Sequence, residues 1–373
     1  MISLAQDKRD HRYMHRALEL ARKGRFTTGP NPAVGCVVVK DEHIVGEGWH
    51  QKAGEPHAEV FALQQAGALA EQATAYVTLE PCSHHGRTPP CVDALIEAKV
   101  ARVVIAMQDP NPVVSGRGIH KLHDADIEVR VGLFEAAARA LNPGFIHRMQ
   151  TQMPFVRVKL ASSLDGRTAL NNGVSQWITG ESARADVQVW RAQADAILTG
   201  ADTVLTDNPR LNVRPEQWPE GVELPLFFKQ PVRVIIDGKN RVHDDLRLFE
   251  VDAPVFVIRT HEGTPSRHNH CHEIIAKADN HGRVDLRDAL KKLALREINS
   301  VWTECGGQLA GALFDAQLVN ELVYYQANKV LGSDARSMIA LRELTQLEDA
   351  LSFNVLERRM VGEDIRVIAQ PMK

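Results

Sequence analysis

The sequence predicts an α/β protein in two domains, the first built on a mainly parallel sheet flanked by helices. Three observations carry this expectation. Short apolar runs rich in Val, Ile and Leu alternate with longer amphipathic stretches, and strand–helix alternation of that kind builds parallel sheets covered by helices. The 373 residues are enough for two separate cores. Helical periodicity lapses near Asn142 to Pro154, where a polar stretch, Arg148 to Gln152, leads into a fresh strand. The expected domains are therefore 1–150 and 151–373.

Taken in order, Tyr13 to Lys23 carries Met14, Ala17, Leu18 and Ala21 at helical spacing, and Gly24 stops the run. Gly29-Pro30-Asn31-Pro32 reads as a rigid loop, because two prolines fix φ and restrict the residues before them. Val34 to Val39 is a buried strand and Ile44 to His50 its hairpin partner. Pro56 suits the first turn of a helix over His57 to Ala70. Strands follow at Ala75 to Leu79, Arg102 to Met107 and Ile127 to Val131, with helices at Pro90 to Lys99, Gly116 to Ala125 and Glu135 to Leu141. In the second region the strands are Phe155 to Leu160, Ala196 to Thr199, Val232 to Ile236, Val255 to Arg259, Ser300 to Thr303, Glu321 to Gln326 and Arg366 to Ala369. Helices are expected over Ser182 to Ala194 and Gly307 to Leu318, and surface loops over Glu216 to Gln230 and Glu262 to His272.

Composition excludes several classes. A hydrophobic share of 44% with 24% charged residues is that of an ordinary soluble globular protein. With 44 basic and 47 acidic residues the net charge is -3, which offers no global attraction to nucleic acid or to an anionic membrane. No apolar run is long enough to span a bilayer, and the charged, polar start of the chain is unlike a signal peptide. Five cysteines fit a reducing compartment with metal or free thiols better than a disulfide framework. A cytoplasmic enzyme is expected.

The chemistry concentrates between Gly54 and Cys91, in His57-Ala58-Glu59, Glu80-Pro81-Cys82 and Pro89-Pro90-Cys91. One imidazole and two thiols can fill three corners of a zinc tetrahedron and leave the fourth to water, whose pKa on such a zinc falls to roughly 7. Glu59, two residues from His57, could shuttle protons. This order of residues is the pattern of the zinc nucleobase deaminases, although Cys-x-x-Cys is usual there and eight residues separate Cys82 from Cys91 here. Positions 57 and 59 do not share a helix face. Both can still reach a metal lying off the helix N-terminal end. Cys91 would likewise start a helix, where partial positive charge favours thiolate. The blander reading is three unrelated buried polar residues, and Cys36 reads simply as a small core residue.

With both regions laid out, the chain resembles the bifunctional deaminase-reductase family of riboflavin biosynthesis over nearly its whole length. The residues that carry the resemblance are Asn31 to Gly35, His57 to Val60, the unbroken Thr78 to Cys91, Lys159 to Gly166, and Ser175 to Thr179. The long spacer between the cysteines is typical of that family. The resemblance implies a cytidine-deaminase-like αβα domain followed by a dihydrofolate-reductase-like α/β domain. The first would hydrolytically deaminate 2,5-diamino-6-(5-phosphoribosylamino)pyrimidin-4(3H)-one using one Zn2+. The second would reduce the ribosyl group of the aminouracil product to ribityl with NADPH. It also implies phosphoribosylaminopyrimidine substrates, self-association through the reductase half, and no nucleic-acid or membrane partner.

Carried over residue by residue, His57, Cys82 and Cys91 would hold zinc, Glu59 would be the proton shuttle, and Asn31 would bind the pyrimidine edge. His50, His84 and Arg87 lean towards the phosphoribosyl end, against the alternative of solvated loop residues. No Gly-x-Gly-x-x-Gly is present, which counts against a Rossmann site. The resemblance instead has Ala161, Trp177, Thr203, Asp207, Gly238, Gly306, Gly307, Gln308, Leu309, Ala310, Gly311 and Ala312 lining NADPH. Gly306 and Gly307 lead from a strand into a helix whose N-terminus favours an anion, although such a junction is commonly a plain turn. Ser175, Arg191, Leu211, Arg214 and Glu304 would hold the substrate, the arginines facing its phosphate. Lys159 and Asp165 match motif positions without an assigned role. His268 to His272 reads as a solvated loop rather than a second metal site. Two other readings compete. A nucleobase or RNA deaminase with a C-terminal substrate-binding half would want a basic, aromatic track, and only 5% of residues are aromatic. A structural zinc protein would want four protein ligands rather than three and a carboxylate.

Overall fold

A computed structural model describes residues 3–83, 89–112, 114–225 and 228–372. The chain divides into two units, Met1–Gln152 and Met153–Lys373. The first contains α1 (Leu4–Lys23), β1 (Gly35–Lys40), β2 (His43–Trp49), α2 (Ala58–Ala66), β3 (Thr74–Val77), α3 (Cys91–Glu97), β4 (Arg102–Ile105), α4 (Arg117–Asp124), β5 (Glu128–Val131), α5 (Glu135–Leu141) and α6 (Pro143–Thr151). Its sheet runs β2-β1-β3-β4-β5. β3, β4 and β5 are parallel, while β1 is antiparallel to both β2 and β3. The expected mainly parallel sheet is thus half antiparallel: the β1–β2 hairpin forces one opposed pairing, and β1 pairs antiparallel with β3 as well.

Alternation along β1 sets the layers. Val37 and Val39 pack with Met14, Ala17 and Leu18 of α1 and Ile146 of α6. Cys36 and Val38 pack with Ala58 and Ala62 of α2, and Leu95 of α3 and Leu122 of α4 close the same face. Each large aliphatic side chain so buried contributes about 1.5–3 kcal/mol. Two glycines let α2 lie directly on β2. A Cβ on Gly46 would meet the Ala62 carbonyl oxygen at 2.0 Å, and one on Gly48 the Ala58 oxygen at 2.2 Å. That close approach places the start of α2, with His57 and Glu59, beside the sheet.

The second unit contains β6 (Phe155–Ser162), β7 (Arg167–Ala169), α7 (Glu181–Gln193), β8 (Ala196–Gly200), α8 (Ala201–Asp207), β9 (Val232–Ile236), β10 (Val255–Arg259), β11 (Cys271–Ile275), α9 (Leu286–Ala294), β12 (Ser300–Glu304), α10 (Gly307–Asp315), β13 (Glu321–Gln326), β14 (Arg336–Ser337), β15 (Phe353–Val361) and β16 (Asp364–Pro371). A nine-stranded sheet is ordered β11-β10-β9-β8-β12-β6-β13-β16-β15, and β7 and β14 form a separate ribbon. All pairings from β11 to β13 are parallel; β16 is antiparallel to β13 and to β15. Side chains of α7 and α8 pack on one face with Ile197, Ile235 and Trp302. Those of α9 and α10 pack on the other with Leu198, Val234 and Val301. No helix among the described residues is long and apolar enough to cross a membrane.

Several boundaries differ from expectation for physical reasons. α1 starts at Leu4, nine residues earlier than its apolar periodicity, because Ser3 caps it by accepting from the Gln6 N–H at 3.1 Å. Asp10, on its inward face, is charged and so invisible to a hydrophobic pattern. The interval read as the end of periodicity holds α6. Pro143 stands in its first turn, where the missing N–H costs nothing, and Ile146 anchors it. β11 begins inside the expected surface loop. It is an edge strand with only Ile274 buried, so no alternation announced it.

Asp10 is fully buried and receives both terminal nitrogens of Arg102 (2.8 and 2.9 Å), Arg130 (2.7 Å), Gln6 (2.9 Å) and the Tyr76 hydroxyl (2.9 Å). Burial alone would raise its carboxyl; the hydrogen bonds overcome that and hold it well below the usual carboxylate range. Asp10→Ala should cost about 3 kcal/mol by removing the buried counter-charge of Arg102 and of half-buried Arg130, which keep only Glu128 and Asp7, read as faster hydrogen exchange in β3, β4 and β5. Because the folded pKa is depressed, the carboxylate's contribution is full at neutral pH. It is lost as pH falls below about 4, the value in the unfolded chain.

Candidate active sites

His57 is the N-cap of α2 and Cys91 the first residue of α3, so two helix N-termini meet at this point. The His57 Nδ1 lies 3.2 Å from Cys91 Sγ and 3.5 Å from Cys82 Sγ. All three ligand atoms fall within 4.8 Å of one another, and among the described residues this is the one cluster of three such groups. The backbone N–H of Cys91 donates to Cys82 Sγ at 3.3 Å. The Cys91 thiol also donates to Cys82; with the His57 ring this takes Cys82 far below the usual thiol range, while the same contact and burial push Cys91 far above it. A divalent cation held between the two sulfurs and the imidazole would let both thiols ionise. Two thiolates and an imidazole are a zinc donor set.

Glu59 is 3% exposed, in the first turn of α2. Burial raises its carboxyl to about 7, partly offset by His57. A group at that value can take and return a proton near neutrality. Asn31 is brought in through His50. The Asn31 Nδ2 is 3.3 Å from His50 Nε2, whose ring meets that of His57 edge-on at 5.3 Å. His50 is itself buried, with Nδ1 3.2 Å from the Pro56 carbonyl, and burial lowers its pKa. His84 and Arg87 lie outside the described residues. Sequence reasoning overlooked Asp109, which is 7% exposed. Its carboxyl is raised to about 6, first by burial and further by the charges of Glu80 and Cys82.

In the second unit the candidates gather where neighbouring parallel strands end. Ala161 is in the last turn of chain of β6, Glu304 closes β12, Thr203 follows β8, and Gly238 follows β9. Such C-terminal strand ends are where open α/β sheets bind ligands. Leu309 lies 3.6 Å from the position a Cβ on Gly200 would take, so the starts of α8 and α10 adjoin. Gly306 caps α10 without a side-chain acceptor, and nothing stands within 4 Å of where its Cβ would be. The rest of that stretch divides. Gly307 and Gly311 back onto another segment, where a Cβ would meet Ser337 O at 2.7 Å and Ala340 O at 1.9 Å. Ala310 is in the core, Ala312 is half-buried and Gln308 is exposed. Trp177 is 61% exposed, with Arg184 over its ring at 4.6 Å and its carbonyl held by Lys329 Nζ at 2.9 Å. Ser175 shares its loop, and Asp207 ends α8.

The substrate candidates rearrange more. Arg191 is 6% exposed. Its Nε and one terminal nitrogen grip Glu304 at 2.6 and 2.7 Å, and the other donates to the Asn212 carbonyl at 2.8 Å. Burial would raise Glu304; Arg191, Lys159 and the Trp302 N–H hold it down at about 2. The side chain of Leu211 is in the core, at φ +50, so only its backbone is available. Arg214 behaves differently. Burial lowers its pKa, its Nε is buried without a partner, and it makes no ion pair among the described residues. Lys159, to which the sequence assigned no role, is the register partner of Glu304 across β6 and β12. Burial lowers its pKa, against the opposing pull of Glu304. Among the His268 to His272 residues, His268 stacks on Phe249 at 4.6 Å and its Nε2 reaches the Asp244 carbonyl at 2.9 Å.

Comparison with known proteins bears on both sites. A family model for the cytidine and deoxycytidylate deaminase zinc-binding region matches residues 7–107. One for the RibD C-terminal domain matches residues 154–367. The riboflavin biosynthesis protein RibD of Escherichia coli is 52% identical over 95% of this chain and 98% of its own length, and that of Haemophilus influenzae 48% identical over 96% of each. Among solved structures, RibD of Acinetobacter baumannii superposes with a TM-score of 0.90 at 43% identity, over 98% of this chain and 99% of that one. The deaminase/reductase of Thermotoga maritima does so with 0.86 at 35% identity over the same shares.

Metal analysis of the purified chain should find one zinc per chain. Cys82→Ser or Cys91→Ser should lower retained zinc by at least about 100-fold in affinity, whereas His268→Ala and His270→Ala should leave it unchanged.

Proposed function

The chain belongs to the RibD family of bifunctional zinc- and NADPH-dependent deaminase/reductases of riboflavin biosynthesis, and from that premise we propose which of its residues carry each reaction. In the deaminase, His57, Cys82 and Cys91 hold the zinc, which supplies a Lewis acid able to make water nucleophilic at neutral pH. Glu59 takes the proton of the attacking water and delivers it to the pyrimidine ring nitrogen, then to the departing ammonia. Its burial beside the ligands, with a carboxyl poised near neutrality, supports this role. Asn31, oriented by His50, hydrogen-bonds the ring edge.

In the reductase, NADPH supplies hydride. Its phosphates fit the open, uncapped start of α10 at Gly306 and Gly307, with Gln308, Leu309, Thr203, Ala161, Gly238 and Trp177 around it. Asp207 and Ala312 would lie at its margin. Ala310 and Gly311 contribute by letting α10 pack closely rather than by touching the cofactor. Glu304 and Lys159 orient the open-chain sugar, a carboxylate and an ammonium in register on neighbouring strands. Arg191 acts through Glu304, since its guanidinium is already engaged. Arg214, which makes no ion pair among the described residues, binds the substrate phosphate, and Ser175 and the Leu211 backbone complete the substrate contacts. The domains are read as 1–150 for deamination and 151–373 for reduction.

The reading extends to a cytoplasmic setting, no nucleic-acid partner and self-association through the reductase half. β15 supports the last point: it is the outer strand of the large sheet and exposes Val355, Leu356 and Met360.

The partly buried arginine without a counter-charge carries the substrate assignment, and the buried carboxylate at the zinc cluster carries the deaminase assignment. Glu59→Gln should retain zinc and lose deamination by about 10²–10⁴-fold. Reduction of the already deaminated aminouracil, followed by loss of the nicotinamide absorbance, should be unaffected. Loss of both activities would refute independent sites. Arg214→Ala should raise KM for the phosphorylated substrate by about 10-fold or more, with KM for NADPH unmoved. An equal loss of both would show the arginine to be structural.

A further inference from the structure

α4 lacks its own N-terminal acceptor. Its N-cap is Gly116, in left-handed backbone at φ +78, with no side chain to receive the first N–H groups. Those groups still need a partner. It comes from Glu80, 36 to 39 residues earlier in the chain. Glu80 is 3% exposed. Its Oε1 accepts from the N–H of Gly118 at 2.9 Å and of Ile119 at 3.4 Å; its Oε2 accepts from Gly116 at 3.0 Å and from Asp109 at 3.1 Å. A carboxylate suits that place because the helix N-terminus is partially positive.

The same oxygen therefore receives two points of the connection between β4 and α4, Asp109 within it and Gly116 at its end. Within that connection Asp109 Oδ1 accepts from the Asn111 N–H at 2.8 Å, and the Asn111 carbonyl receives the N–H of Val114 and of Ser115, each at 2.9 Å. A second contact locks the arrangement to the metal ligands. A Cβ on Gly118 would lie 2.3 Å from the Pro81 carbonyl oxygen and 3.1 Å from Glu80 Oε1. Pro81 separates Glu80 from Cys82. Three consecutive residues thus hold a zinc ligand at one end and the anchor of the β4–α4 connection at the other. Glu80 is outside the ligand cluster, so its carboxylate is not needed to bind the metal.

We propose that Glu80 is a positioning residue of the deaminase, which holds Asp109–Pro112 and Val114–Gly116 against the Pro81–Cys82 corner as one wall of the pyrimidine pocket. The inference rests on the deaminase reading above and adds to it a substrate-binding wall set by a residue that touches neither substrate nor metal. Asp109 lies close enough to Cys82 for the two charges to be felt.

Glu80→Gln in the full-length, zinc-loaded chain tests it. The amide keeps the shape but offers one acceptor oxygen where two are used, and turns N–H groups towards N–H groups. Zinc should stay at one per chain and reduction of the aminouracil substrate should be unchanged. The deaminase KM should rise about 10-fold with kcat within about threefold, the scale of one or two buried hydrogen bonds. Amide exchange at Asp109, Gly116 and Gly118 should accelerate while α2 keeps its protection. Gly118→Ala, which presses on the same contact from the helix side, should reproduce the KM rise. Loss of zinc in Glu80→Gln would place the carboxylate in support of the ligands and overturn the proposal. A fall in kcat with KM unmoved, or unchanged KM and exchange, would overturn it too. Absence of deamination by the unmodified chain would instead sink the deaminase reading on which it depends.

Discussion

A helix leaves its first N–H groups without partners inside the helix, and the functional side chains of this chain are arranged around that deficit. At α2 and α3 the two N-termini converge on His57, Glu59, Cys82 and Cys91, and the N–H of Cys91 is spent on the Cys82 sulfur. At α4 the deficit is met by Glu80. At α10 it is left open beside Gly306, facing the ends of the parallel strands. The three solutions, a thiolate, a carboxylate and room for a phosphate, are three ways to put negative charge where backbone dipoles favour it. Packing enforces them. Gly46, Gly48 and Gly118 let helix, strand and loop backbones come so close that the helix starts cannot shift without steric conflict.

Much of the charge buried away from those helix ends follows a second rule, that ions in a low-dielectric interior are costly unless paired; Arg233, fully buried on backbone carbonyls, departs from it. Asp10 gathers two arginines, a glutamine and a tyrosine. Asp186 does the same for Arg366, Arg359 and Tyr325, tying α7 to the β15–β16 hairpin. Arg191 and Glu304 form another such pair, at the end of β12. The pairing engages the Arg191 guanidinium that the sequence offered to a phosphate. Arg214 makes no ion pair among the described residues.

How much was legible beforehand depended on whether a role is local in the chain. The zinc ligands and Glu59 were readable because metal chemistry restricts the residue types and because the two helix starts are announced by Pro56 and Pro90. The strands that line the second site were readable as apolar runs, and most were found within a residue or two. α6 and the early turns of α1 were missed because their inward positions include charged or proline residues that mimic loops. Edge strands β11 and β15 were missed because they bury too little to show a pattern. Asp109 and Lys159 gave no signal of their own, since a carboxylate or an ammonium shifts its pKa only through neighbours supplied by other elements.

The sequence by itself determined the family and the two chemistries, and it singled out His57, Cys82, Cys91 and Glu59 as candidates, because each depends on residue identity at short spacing. Tertiary structure alone decided which charges are free to act. Arg191 and Arg214 look alike in the chain, and Glu80 reads as one more motif residue. Only the fold brings a carboxylate to Arg191 from 113 positions away, leaves Arg214 unpaired among the described residues, and sets the start of α4 on Glu80. The reason is that pairing and desolvation are properties of distances in space, which a linear pattern does not contain.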